Sequence, residues 1–147
     1  MPELPEVETV KTALSKVLLD RTITGTVLHQ AQLRTLVDKD RFSSLVNLQI
    51  VKLSRRAKYI VMVLSDDTHL LLHLGMTGSF RLVAQSTEFK KHEHLSFELD
   101  NGMSCRYEDP RRFGNVQIFT REECMIVLAK LGPEPLTEDF SADYLFQ

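Results

Sequence analysis

The sequence predicts an α+β, mainly β domain: a β-sandwich or flattened barrel of about eight strands flanked by helices. Three observations carry this. Short runs rich in Val, Ile, Leu, Phe and Tyr recur between turn signals through the middle of the chain. Helical spacing of apolar residues is confined to the two ends of that region. The length of 147 residues and the 43% hydrophobic content suit one domain with a proper core.

The elements follow in order. Pro5 stands at a first helical position, with Glu6 and Glu8 in the first turn. Val7, Val10, Leu14 and Val17 or Leu18 then recur at helical spacing, which predicts a helix over 5–18. Thr22 to His29 reads as a strand and Lys39 to Leu45 as a short helix. Leu48 to Leu53 and Tyr59 to Leu64 read as strands meeting near Arg55-Arg56-Ala57. Asp66-Asp67 marks a turn before a strand at His69 to Leu74. Gly75-Met76-Thr77-Gly78 turns the chain into Ser79 to Val83. Asp100-Asn101-Gly102 is the strongest hairpin signal, placed between Leu95 to Leu99 and Met103 to Tyr107. Asn115 to Phe119 completes the strands, and Thr120 with Glu123 resembles a capping box opening a helix to about Lys130.

Leu131-Gly132-Pro133-Glu134-Pro135 stops that helix and begins an acidic, proline-bearing linker. The domain is therefore expected over residues 1–133. Residues 134–147 are expected to form a linker and the first turns of a further helical unit, as in a fragment of a longer chain.

The net charge of −2 conceals an uneven distribution. Residues 134–147 hold Glu134, Glu138, Asp139 and Asp143 with no Lys or Arg, which leaves the first 133 residues slightly basic. No acid falls between Asp40 and Asp66, a stretch holding Arg41, Lys52, Arg55, Arg56 and Lys58, so this is a candidate basic face. No apolar run is long enough to span a bilayer, and the acidic start does not resemble a secretory signal, so no membrane partner and a cytoplasmic location are expected. Cys105 and Cys124 are isolated, form no Cys-x-x-Cys pair, and are expected to be small core residues rather than zinc ligands or a disulfide.

Chemistry gathers in five places. If Met1 is removed, Pro2 carries a free secondary amine, and an unperturbed α-amino group titrates at about 7.7 to 8.0. Such an amine can attack an electrophilic carbon while the neighbouring Glu3 manages protons. The bland alternative is that Pro2 only sets up the helix. Ser54-Arg55-Arg56-Ala57-Lys58-Tyr59 places three cations around a strand turn, either as solvated surface or within reach of phosphates. Met76, at a turn tip between glycines, is either core filling or free to enter a partner. Asp109-Pro110-Arg111-Arg112-Phe113-Gly114 presents two guanidinium groups and a ring. Phe113 either pins the loop to the core or wedges between base pairs while an arginine bonds a base edge. His92, beside Lys90 and Lys91, offers a further phosphate contact.

Taken together, PELPEVET, RRAKY, HLGMTGS, KHEH, YEDPRRFG and LGPEPL resemble, in order and spacing, the bacterial formamidopyrimidine-DNA glycosylases. Leu4 favours that branch over endonuclease VIII, which usually has Gly there. The resemblance implies a base-excision repair glycosylase and AP lyase. Its expected substrate is double-stranded DNA bearing 8-oxoguanine or formamidopyrimidine opposite cytosine, and the protein is expected to act as a monomer. It implies Pro2 as the nucleophile at the sugar C1′, Glu3 as the acid assisting ring opening, and Lys58 as a proton donor in elimination. It further implies that Met76, Arg111 and Phe113 fill the gap left by the flipped nucleotide, with His92 on the DNA backbone. Glu6 matches a family position near the active site without an assigned role. The chain covers about the first half of the family's usual length and lacks the helix-two-turn-helix module and the zinc finger. No cofactor is therefore expected in this chain, and zinc belongs to the absent part.

Two other classes remain. One is a non-catalytic module that binds damaged DNA or a protein, and the other a tautomerase using an N-terminal proline as general base, which needs no Lys58, Met76 or Phe113.

Overall fold

The computed structural model describes residues 4–132, so Pro2, Glu3 and the expected linker at 134–147 lie outside the described residues. The elements are α1 (Leu4–Leu18), β1 (Ile23–Leu28), α2 (Lys39–Ser43), β2 (Ile50–Arg56), β3 (Tyr59–Leu64), β4 (His69–His73), β5 (Ser79–Ala84), β6 (Glu93–Leu99), β7 (Met103–Glu108), β8 (Asn115–Phe119) and α3 (Arg121–Ala129). Each element expected within the described residues is present, with bounds shifted by a few residues at most. The cap of α3 forms as its residues require: the Thr120 side chain accepts from the Glu123 N–H while Glu123 accepts from the Thr120 N–H. Gly102 supplies the left-handed φ of +82° that closes the β6–β7 hairpin.

The strands form two four-stranded antiparallel sheets, ordered β1-β6-β7-β5 and β2-β3-β4-β8. Alternation along β3 explains the layering. Ile60, Met62 and Leu64 point into the core shared with Ile23, Leu95, Phe97 and Tyr107. Val61 points the other way, into a smaller cluster with Leu71, Cys124 and Leu128 beneath α3. β4 is covered on both faces, which is why His69 to His73 reads as a continuous apolar run between two histidines rather than as an alternation. Both cysteines are free and buried, one in each cluster.

The candidate basic face does not form as one surface. Arg41 on α2 pairs with Glu123 at the start of α3 and donates to the Ile118 carbonyl. Arg55 donates to Glu8 of α1 at 2.9 Å and to the Ala57 carbonyl, and Arg56 donates to the Gly132 carbonyl. Side chains 14 residues apart in sequence thus serve opposite ends of the sandwich. The pair Arg55–Glu8 ties the first turns of α1 to β2, and no helix among the described residues is long and apolar enough to cross a membrane.

Candidate nucleic-acid interface

Strand register decides which loops meet. Tyr59 pairs with His73, and His73 pairs with Asn115, so the β2–β3 turn bearing Lys58, the end of β4 and the start of β8 share one end of their sheet. In the other sheet Ser79 and Glu93 both pair with Glu108, which brings together the start of β5, the start of β6 and the end of β7. The chain crosses between sheets twice at this end, through 74–78 and through 109–114. Met76, Arg111 and Phe113 are carried by these crossings, Lys58 by the β2–β3 turn, and His92 directly precedes β6, so the structure gathers all five at one end of the sandwich.

Asp109 is the centre of that end. It has no exposed surface. Its Oδ1 accepts from the Thr77 hydroxyl at 2.6 Å, and its Oδ2 accepts from the Tyr107 hydroxyl and the Gly114 N–H, each at 2.8 Å. Its backbone N–H donates to the His92 carbonyl, and its carbonyl meets His94 Nε2 at 2.7 Å. The carboxylate thereby fastens the 74–78 and 109–114 crossings to β7 while the Asp109 backbone holds the start of β6, and the buried charge is met by donors rather than left bare. Burial, then the hydrogen bond to Asp109, push the Tyr107 hydroxyl well above its usual titration range, so it stays a donor.

The glycines permit the close approach. Gly75 has φ +62°, and a Cβ there would lie 2.5 Å from the Gly114 nitrogen and 2.6 Å from the Phe113 carbonyl carbon. A Cβ on Gly114 would overlap the Tyr107 hydroxyl outright and lie 2.9 Å from Asp109 Oδ2. The two crossing loops therefore touch backbone to backbone.

On this anchored base three groups face solvent. Met76 is 48% exposed and Phe113 45% exposed, so neither fills the core. The exposed Arg111 guanidinium lies 4.9 Å from the Phe113 ring centroid, and the Arg111 backbone N–H donates to Thr77 Oγ1. Arg112 adopts a left-handed φ of +55°, and its side chain turns aside to the Gln32 carbonyl. The consecutive arginines thus diverge, one over the ring and one toward the loop after β1. Large apolar side chains held in water by a rigid loop, beside a guanidinium, suit insertion into a stacked, anionic partner.

Beneath the tip, His73 is buried and its Nδ1 accepts the Gly75 N–H at 3.0 Å, which requires that nitrogen to be unprotonated. Burial, then the charges of Arg34 and Lys58, hold its pKa below the ordinary 6.5. The sign follows from linkage: the unfolded state binds the proton more readily, so the stabilisation from neutral His73 is complete above pH 6.5 and is lost as pH falls from there through the folded value. We expect the melting temperature to fall between pH 7.5 and pH 5, and His73→Asn to reduce that dependence. Parallel melts of both proteins check this, and identical pH profiles would exclude His73 as the source.

Lys58 and His92 are half-buried at the margins of the same end, the His92 ring centroid 6.3 Å from that of His94. Glu6 is exposed in the first turn of α1. Sequence reasoning missed Asp109, Tyr107, His73 and Arg34. Asp109 had a signal, since an Asp before Pro favours a turn, whereas Arg34 is brought in by bonds distant in sequence, its N–H to the Gly114 carbonyl at 3.1 Å and the neighbouring Thr35 to Asn115. No group of three or more His, Cys, Asp or Glu among the described residues is placed to hold a metal ion. A cleft of 530 Å³ lined by Arg41, Phe119 and Thr120 lies at the far end, where Arg41 is already paired.

This two-sheet architecture is that of a DNA-glycosylase N-terminal domain. Residues 1–116 match the formamidopyrimidine-DNA glycosylase N-terminal domain, and the chain belongs to that family. Over 147 residues and 100% of its length it is 45% identical to the formamidopyrimidine-DNA glycosylase of Acinetobacter baylyi. It is likewise 43% identical, over 148 residues, to that of Dichelobacter nodosus. It covers 53% and 54% of those proteins, so it spans about half their length. Among solved structures, the Lactococcus lactis enzyme non-covalently bound to DNA containing an AP site superposes with a TM-score of 0.86 at 31% identity, over 95% of this chain and 54% of that one. The same enzyme in complex with DNA containing an N7-benzyl formamidopyrimidine gives 0.85 at 31% identity, over 93% and 51%.

Proposed function

We propose that this domain opens duplex DNA at an oxidised purine opposite cytosine and supplies the nucleophile that removes the base and then cuts the strand. The exposed Met76, Arg111 and Phe113 on the Asp109-centred base carry the reading, because extruding a nucleotide leaves a gap that protein groups must fill. The relatives named for this activity and the two DNA complexes support it. A tautomerase acting on small molecules has no use for such a tip.

In the proposed chemistry the Pro2 amine attacks C1′ as the bond from C1′ to the damaged base breaks, and the proton the amine loses passes to the departing base. Glu3 delivers a proton to the sugar ring oxygen as the ring opens, leaving a proline iminium. That iminium has no N–H to lose, so it stays cationic and withdraws electrons from C2′. Loss of a C2′ proton then expels the 3′ phosphate, with Lys58 as the proton donor to the leaving group.

Borohydride reduction in the presence of abasic-site duplex tests this. The expected product is a covalent adduct that peptide mapping places on Pro2. Mapping to Lys58, or an active preparation retaining Met1, refutes the mechanism.

A further inference from the structure

The loop between β5 and β6, residues 85–92, has no regular structure, yet its course is set by a buried charge cluster on the outer face of the first sheet. Arg81 on β5 and Arg106 on β7 are directly paired in register, an arrangement of like charges that is unfavourable unless something intervenes. Glu93 intervenes. Its carboxylate accepts from Arg81 Nε at 2.7 Å and Nη2 at 2.9 Å, lies 3.8 Å from Arg106 Nη1, and accepts the Lys90 N–H at 2.8 Å. Arg106 is wholly buried. Its Nε donates to Ser104 Oγ at 3.0 Å, while Nη1 and Nη2 donate to the carbonyls of Glu88 and Gln85 at 3.1 and 3.3 Å. The Phe89 ring covers the guanidinium, with Cζ 3.7 Å from its centroid.

Burying Arg106 and Glu93, with Arg81 partly buried beside them, costs more than covering the sheet face with apolar residues, so stability alone does not account for the cluster. What the cluster does uniquely is specify the path of one loop, because its donors and acceptors end on the backbone of residues 85, 88 and 90. The next side chains are Lys90 and Lys91, both exposed, and His92, whose carbonyl is bound by the Asp109 N–H. We propose that Arg81, Glu93 and Arg106 are positioning residues that hold the Lys90-Lys91-His92 segment against the phosphate backbone, in register with the tip at Met76, Arg111 and Phe113. This rests on the DNA-binding reading above.

The test is the affinity of the 147-residue chain for duplex containing a tetrahydrofuran abasic analogue, measured across a salt series. If two phosphate contacts depend on the cluster, Arg106→Met should make the slope of log K against log salt shallower by about 1.8, at about 0.9 for each contact. The double variant Lys90→Ala/Lys91→Ala should show the same loss, and combining it with Arg106→Met should add nothing further. Phe89→Ala, which uncovers the guanidinium without removing a charge, should reproduce part of the loss and stands in should Arg106→Met not fold. Leu128→Ala, in the separate cluster under α3, should lower stability and leave the slope unchanged. A parental slope in both Arg106→Met and Phe89→Ala, or losses that add fully to those of the lysine variant, overturns the positioning role while leaving the DNA reading intact. A parent chain without salt-dependent binding overturns that reading and the proposal with it.

Discussion

Asp109→Ala is expected to lower stability by about 3–5 kcal/mol, the largest effect of any single substitution at the candidate interface. The carboxylate is fully buried and accepts from Thr77, Tyr107 and Gly114, so its removal strands donors where water does not reach. Thr77 is half-buried and can turn to solvent, but the Gly114 N–H cannot move without breaking the backbone contact to Gly75. Asp109→Asn should cost markedly less, since its oxygen can still accept from Tyr107 and Gly114 while its amide faces Thr77 Oγ1, which can accept. Urea denaturation of the three proteins gives the comparison. A loss below about 1 kcal/mol in the Ala variant would show that the loops hold together without this hub.

Phe113→Ala and Arg111→Ala are expected to slow excision from duplex DNA by about 30- to 150-fold, while cleavage of a pre-formed single-stranded abasic site changes by no more than about threefold. Flipping a base costs a few kcal/mol, and losing about 2–3 kcal/mol of the compensation returns that amount to the barrier. The single-stranded substrate has no base to extrude. Both side chains are exposed, so neither truncation opens a cavity and folding should be unaffected. Arg111→Ala should also narrow the preference for cytosine over adenine opposite the lesion, because guanidinium donors match the acceptors of cytosine. Single-turnover rates on the two substrates are the measurement. Equal losses on both would assign the loop a structural role.

The contrast between these two predictions reflects how the interface is built. Its outer groups are expendable for folding and its inner ones are not. Gly75, Gly114, Tyr107 and Asp109 leave no free volume, so the tip cannot yield when it is pressed against a stacked partner. On the proposed function, that rigidity would direct binding energy into distorting the DNA rather than the protein.

The strands and helices were legible because their signals are local. Asp100-Asn101-Gly102 closes a hairpin through the φ that Gly102 adopts, and Thr120 with Glu123 caps α3 through groups three residues apart. The tip residues Met76, Arg111 and Phe113 were legible as parts of motifs, and their exposure agrees with the wedge alternative rather than with core filling. Arg55 and Arg56 were not. Cations in a hydrophilic stretch read as surface, yet Arg55 is taken up by Glu8, 47 residues away, and Arg56 by the carbonyl of Gly132, 76 residues away. Arg106, read as nothing in particular, is wholly buried.

The sequence by itself therefore determined the sandwich and its helices, since backbone propensity and side-chain period act over a few residues at a time, and the residues proposed to meet DNA stand out in it as parts of motifs. The tertiary structure alone decided that Lys58, Met76, His92 and Arg111 share one end, that Asp109 fastens it, and which arginines are spent inside. Those outcomes depend on strand register and on hydrogen-bond partners distant in sequence, and a buried charge settles only where folding has already placed its partners.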